Sequence, residues 1–460
     1  MNISLINLKT ALYTIFVVAC TGRSQYVLSQ NSTVLDRYIE EGISNNLSIL
    51  KSELEILKAG IQIRQASALK RPKLSFDANY TFAAGGRKLD FPIGDLLNPV
   101  YSTLNQITQS NNFPSVQNSQ IQFLPNNFHE TKFSFQYPIY QTELKHLSHI
   151  RKQEQASKLA LKEAQTLSLR YDITIAYLQY LQTVEAQKVW ESAQNVLLEL
   201  KKFNESLVRN NVATKEIVAT AEYELSKVDN EIFSLQMKQN SARAFFNLLL
   251  QTDLQRPVEA DSALLHAAIP EYDLNKLMNQ AMAHRKEPEA VKHLIAAVEL
   301  NTKRTQANQK LPDVYLGGAV GFQGFGYHFN SDQAYALAQI GLTYPIYDGG
   351  INRSKVQEHK LEMNIAQKEL QQIEQQIALE ITAKFNELAA ARFGFQTAQK
   401  NVIAAESIFK IIQNKYKAGQ ILLLEFLEAQ NRVTTARMQQ LLAWTDVLIK
   451  EAALKKAAGI

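Results

Sequence analysis

Residues 344–350 read Tyr344-Pro345-Ile346-Tyr347-Asp348-Gly349-Gly350, and the same tetrapeptide stands earlier as Tyr137-Pro138-Ile139-Tyr140. The two prolines are 207 positions apart. Working outward, Arg71-Pro72-Lys73-Leu74 has a counterpart in Leu311-Pro312-Asp313-Val314, 240 positions on, and Asn211 to Ala221 matches Gly419 to Ala429, 208 positions on. Three matches in one order predict that the chain is a tandem duplication. Its first copy spans 34–250 and its second 273–460, with Gln251 to Tyr272, broken by Pro257 and Pro270, as the linker. The first copy holds about 33 additional residues between Pro72 and Pro138. They fall within Ala83 to Phe128, a stretch rich in Asn, Gln and Ser with four prolines, which reads as a long surface loop.

On either side of each repeated proline the hydrophobic pattern changes period. Leu74, Phe76, Ala78, Tyr80 and Phe82 alternate with Lys73, Ser75, Asp77, Asn79 and Thr81. Phe133, Phe135 and Tyr137 alternate with Lys132, Ser134 and Gln136. Val314, Leu316, Val320 and Phe322 share one parity in a third run, and Ile340, Leu342 and Tyr344 in a fourth. Strand side chains point to opposite faces with period two, so each run has one apolar and one polar face. A soluble sandwich would alternate in the same way. Runs of about ten residues also suit tilted strands that cross a bilayer. Four strands are too few to close a barrel, so lipid-facing strands require several copies, and three copies supply 12.

After the prolines the period becomes helical. Leu144 to Leu207 contains neither Pro nor Gly, and Ile351 to Ala418 contains no Pro. At ~1.5 Å per residue either run would extend about 95–100 Å as a helix. Ala221, Leu225, Val228, Ile232 and Leu235 recur at steps of four and three, as do Leu370, Ile373, Ile377, Ile381, Phe385 and Leu388. That spacing predicts coiled-coil seams. Single shorter helices are expected near Leu35 to Leu69 and Leu274 to Gln309. Tight reversals are expected at Asn210-Asn211 and at Ala418-Gly419, where Gly and Asn tolerate the left-handed conformation. Pro72, Pro138, Pro312 and Pro345 mark strand–helix junctions, because proline lacks an N–H and fixes φ.

Composition excludes several classes. A formal net charge of +5 over 460 residues, without clustered Lys and Arg, does not mark a nucleic-acid binder. No phosphate loop, nucleophile elbow or dinucleotide fingerprint occurs, so neither an enzyme nor a cofactor is expected. His146 and His149 lie at i, i+3, but no acidic or cysteine residue completes a ligand set with them. Lys9 followed by the apolar run from Ala11 to Cys20 reads as an export signal ending near residue 29. Cys20 is the only cysteine, so it forms no intramolecular disulfide. Val17-Val18-Ala19-Cys20 is similar to a lipobox and makes Cys20 a candidate for acylation; cleavage near Val27-Leu28-Ser29 is the alternative.

Helix, hairpin, long helix, reversal and returning helix, written twice, resemble the TolC-like outer-membrane factor family of efflux and type I secretion channels. The resemblance spans residues 35 to 457, and Tyr344 to Gly350 followed by a long helix is its most recognisable piece. The first copy departs from it with Gln141-Thr142 where the second has Asp348-Gly349. The resemblance implies an α+β membrane protein, a homotrimer with a 12-stranded barrel in outer-membrane lipid and a 12-helix periplasmic tunnel. It implies as partners a periplasmic adaptor protein and an inner-membrane pump. It places a periplasmic aperture at Tyr416, Gly419, Glu425 and Glu428. The family's charged gate partners would fall at Ile217 and Ile421, which cannot form ionic links. A reading of another class stays open: a secreted or lipid-anchored coiled-coil scaffold, whose helices would cover the apolar strand faces.

Overall fold

The structure is a computed structural model and describes residues 33–266 and 269–460. The export signal and Cys20 lie outside the described residues. In chain order the elements are α1 (Val34–Asn45), α2 (Leu47–Ala68), β1 (Lys73–Thr81), β2 (Lys88–Phe91), α3 (Ile93–Thr108), β3 (Ser119–Gln122), β4 (Phe128–Tyr140), α4 (Thr142–Arg209) and α5 (Glu216–Leu250). A 3₁₀ turn at Ser262–His266 follows, then α6 (Leu274–His284), α7 (Lys286–Lys310), β5 (Asp313–Phe325), β6 (Ala334–Thr343), α8 (Ile351–Lys417) and α9 (Leu423–Ala458). The fold is α+β and mostly helical. Two units share the chain: one takes Leu47–Ser168, Glu271–Ala389 and Ala453–Ile460, the other the residues up to Asn46, Leu169–Pro270 and Ala390–Ala452.

The first of these units holds a four-stranded antiparallel sheet in the order β1-β4-β5-β6. Its register brings the four sequence parities together. Leu74 and Phe76 stand opposite Phe135 and Phe133, Phe133 opposite Val320, Tyr137 opposite Leu316, and Leu316 opposite Ile340. Residues paired directly across strands share a face, so the apolar side chains of all four strands form one surface. That surface is bare: Leu74 is 73% exposed, Phe76 59%, Ile340 74% and Leu342 66%. The chain's own helices leave this face of the strands uncovered.

The segment expected as a loop is folded. Between β1 and β4 the chain forms the β2–β3 ladder and the 16-residue helix α3. Asn98 and Asn105 act as side-chain splints: Asn98 donates to the Val116 carbonyl at 2.9 Å and accepts from its N–H at 2.8 Å. Asn105 does the same with Phe113, at 2.8 and 3.1 Å. A composition that reads as loop thus supplies the bonds that order it.

Two expected single helices are each split, at Asn46 between α1 and α2 and at Arg285 between α6 and α7, both in extended conformation. Arg285 is held there by Glu287 at 2.8 Å, Glu380 at 2.9 Å and the Ala457 carbonyl at 3.2 Å. Burial alone would favour an uncharged Arg285, but the two carboxylates outweigh it and raise its pKa. The long helices form as expected. Ile377, Ile381 and Leu388 of the predicted seam are buried in α8, which continues through Gly394.

In the other unit the linker is seated on tyrosines. Tyr177 donates to the Glu259 carbonyl and accepts from the Asp261 N–H, both at 2.9 Å, and Tyr180 donates to the Val258 carbonyl at 3.1 Å. The Tyr38 hydroxyl accepts from the Glu259 N–H at 3.0 Å, and the Tyr38 ring meets Phe246 edge-on.

Candidate functional site

Two helical reversals form one candidate region. The α4–α5 turn has Asn211 at φ 57°, and the α8–α9 turn has Gly419 at φ 71°. Both close in the same way: Val212 N–H bonds the Leu207 carbonyl at 2.9 Å, and Gln420 N–H bonds the Lys415 carbonyl at 3.0 Å. These six-residue closures around a left-handed residue are Schellman caps, which explains the Asn and Gly at these sites. Charge follows the helix dipoles, with Arg209, Lys415 and Lys417 in last turns and Glu216 and Glu425 in first turns.

Tyr416 is 8% exposed and packs on Phe426, with ring centroids 5.2 Å apart, and edge-on to Phe203. Its hydroxyl donates to Asn204 Oδ1 at 2.8 Å. The Asn204 amide in turn donates to the Ile217 carbonyl at 3.0 Å. One fully buried asparagine therefore joins α4, the start of α5 and the end of α8. Burial raises the Tyr416 pKa, so its phenol stays protonated and able to donate. The residues that pack around this lock include Leu197, Leu200, Ala221 and Val228, with Ile421 beside them. Where the resemblance leads one to look for ionic links, this chain has an uncharged bond inside an apolar cluster. Asn204 gave no sequence signal, being one amide among many on a long polar helix.

Glu425 and Glu428 are both exposed, while Phe426 between them is buried. Glu428 borders a groove with Glu224, Lys227 and Glu231 of α5. His146 lies where burial and the neighbouring Lys145 lower its pKa, and among the described residues no group of three potential ligands gathers around a metal position.

The second candidate surface is the polar face of the sheet. Glu130 pairs with Lys132 at 2.8 Å and accepts from the Tyr335 hydroxyl at 3.1 Å. The Ser134 hydroxyl donates to Asp77 at 3.0 Å and lies 2.7 Å from the Ser75 hydroxyl. Small residues keep this face open. Tyr315 lies over Gly341, where a Cβ would come within 2.1 Å of its ring.

At the junctions, Pro72 and Pro312 precede β1 and β5, and Pro345 follows β6. Pro138 departs from the expected position. It lies inside β4, where the register to β5 shifts between Pro138 and Tyr140, a bulge that suits a residue without an N–H. Asp348 caps α8 by accepting from the Gly350 and Asn352 N–H groups, both at 2.9 Å. The Asn352 N–H does most to hold its carboxyl below the usual range. The first copy, with Gln141 there, borrows its acid: Thr142 N–H donates to Asp313 at 3.1 Å.

Residues 277–460 match the family described as "Outer membrane efflux protein". That match covers 184 of the 460 residues. A curated relative, the outer membrane efflux protein BepC of Brucella suis biovar 1 (strain 1330), is 26% identical over 120 residues. The matched stretch is 26% of either chain, so the chain spans about a quarter of the length of that relative. Among solved structures, the outer membrane protein VceC of Vibrio cholerae superposes with a TM-score of 0.71 at 19% identity, covering 92% of this chain and 96% of that one. The open state of the MtrE outer membrane channel of Neisseria gonorrhoeae gives 0.71 at 17%, covering 92% and 88%. At such identities the likeness establishes the fold alone. The fold shared with these two outer membrane proteins extends over 92% of this chain.

Proposed function

We propose that this chain is the outer-membrane channel of a tripartite efflux or type I secretion system, conducting substrates passively from a periplasmic adaptor and pump to the exterior. One observation carries the reading. A four-stranded sheet exposes a continuous aromatic and aliphatic face, while β1 and β6 each keep one edge without a partner strand. An apolar face of that kind is stable against hydrocarbon, where no backbone edge can stay unpaired. Three copies joined edge to edge close a 12-stranded barrel, with the Glu130, Lys132, Asp77 and Tyr335 face inside as a wet lining. Among the described residues no helix is long and apolar enough to cross a membrane.

The tandem duplication supports the same reading. Helix breaks at Asn46 and Arg285, 239 positions apart, and left-handed caps at Asn211 and Gly419, 208 apart, recur within one position of the sequence-match spacings. The helical hairpins of three copies then form the periplasmic tunnel, and their reversals form its tip, with Glu425 and Glu428 at the aperture. The test is physical. An outer-membrane fraction should yield a trimer band that collapses to monomer on boiling, and purified protein should give steady currents in planar bilayers. A monomer released by carbonate alone would end the proposal and restore the scaffold.

A further inference from the structure

The folded excursion between β1 and β4 has a face that its own unit does not cover. On α3, Ile93, Leu97, Val100, Leu104 and Ile107 recur at three- and four-residue steps, and Leu96 lies beside Leu97 on the same side of the helix. Leu97 and Leu104 are half-buried, but Ile93 is 41% exposed, Leu96 69%, Val100 52% and Ile107 73%. The helix is not loosely hung. Asn98 and Asn105 splint it to the returning chain, the Asn118 amide donates to Asp95 at 2.9 Å, and Gly94 presses against the Val116 carbonyl. A rigid helix with an uncovered apolar stripe needs an occupant.

We infer that the occupant is a second copy of this chain: the α3 stripe packs against the same excursion of neighbouring copies at the outer mouth of the duct. The inference rests on the trimeric channel reading. Position argues for it, because the excursion leaves from the end of β1, an edge strand whose outer side has no partner strand among the described residues. Whatever copy pairs with that edge comes to lie beside the excursion. Both ends of the excursion also leave the sheet opposite the α2–β1 and β4–α4 connections, on the side away from the long helices. Charge argues against a lipid surface. An interfacial helix carries Lys and Arg beside its apolar face, whereas Asp95 is the only charged residue of α3. Three uncharged stripes meeting around the duct axis bury apolar surface without leaving any charge unpaired.

The experiment uses the full-length protein in outer-membrane vesicles. Leu96→Cys and Ile107→Cys are treated with a short bismaleimide, and Ser102→Cys, exposed on the other side of α3, is the reference. Both stripe variants should give covalently linked copies several-fold more efficiently than Ser102→Cys, with the heat-sensitive trimer present in all three. Trimer present with no excess of linkage at the stripe would overturn the inference while sparing the channel. Trimer absent would overturn both. Quenching of a bimane on Leu96→Cys by brominated lipid would make the bilayer the occupant and reject the inter-copy contact.

Discussion

The Tyr416 hydroxyl and the Asn204 side chain meet at 2.8 Å across 212 residues of sequence, and the same asparagine holds a backbone carbonyl in the first turn of α5, that of Ile217, at 3.0 Å. No charge takes part. The Tyr416–Asn204–Ile217 link itself should respond weakly to salt, since screening acts on ionic links and hardly on a buried neutral bond.

Tyr416→Phe removes the donor and leaves Asn204 Oδ1 buried without a partner, a loss of about 1–3 kcal/mol. Asn204→Leu removes both bonds and should cost at least as much. If the reversals form the closed tip, each variant raises mean conductance in planar bilayers. The double variant should fall short of the sum of the singles, because both remove the same bond. Full additivity in thermal unfolding would dissolve the coupling.

Gly419→Ala should lower stability by about 1 kcal/mol, because a Cβ is strained at φ 71° although nothing crowds it. Asn211→Gly should be neutral or slightly stabilising at the equivalent turn. Equal effects of Gly419→Ala and of an Ala placed in the neighbouring helix would show that the left-handed cap does not matter.

Much of this was legible in the sequence, for a definite reason. Strand parity and register are locked together, so the alternation of Leu74 to Phe82 already specified the face that β4, β5 and β6 complete. Asn211 and Gly419 announced the reversals because few residues accept that backbone. What stayed hidden depends on single long-range bonds. Asn204 looks like any polar helix residue, and α3 was obscured by the very asparagines that splint it. The break at Arg285 depends on Glu380 and Ala457, far along the chain, although Pro288 in the first turn of α7 was a local sign of a new helix. The Pro138 bulge could be read as a junction only because it falls two residues before the end of β4.

The exposed sheet face yields a sharp contrast. Phe76→Lys or Ile340→Lys places charge on the surface assigned to lipid and should cost about 2–4 kcal/mol near the bilayer midplane. Ser134→Lys, on the polar face, should be tolerated. The readout is the amount of heat-sensitive trimer in outer-membrane fractions. Equal tolerance at all three positions would contradict the lipid-facing assignment.

Glu425→Ala combined with Glu428→Ala tests the aperture. Three copies would gather six carboxylates at one constriction, favouring cations and opposing closure. Losing them should raise conductance and weaken block by multivalent cations. Unchanged current and unchanged block would return both residues to the role of solvated charges, Glu425 merely serving the dipole of α9.

Tyr177 gives the fold a predictable alkaline limit. Burial pushes its phenol from 10.0 up to about 12. Its folded pKa lies above its unfolded value, so the protonated phenol is what the native state prefers. The associated stability is fully present below pH 10 and is lost as pH rises from 10 toward 12, because the unfolded chain releases the proton first. Ionisation would also remove the donor to the Glu259 carbonyl and loosen the linker from α4. Tyr177→Phe should therefore be less stable than the parent at neutral pH, having lost two hydrogen bonds, yet flatter in its alkaline decline. Thermal unfolding followed from pH 8 to 12 distinguishes the cases, and parallel declines for parent and variant would remove Tyr177 from the explanation.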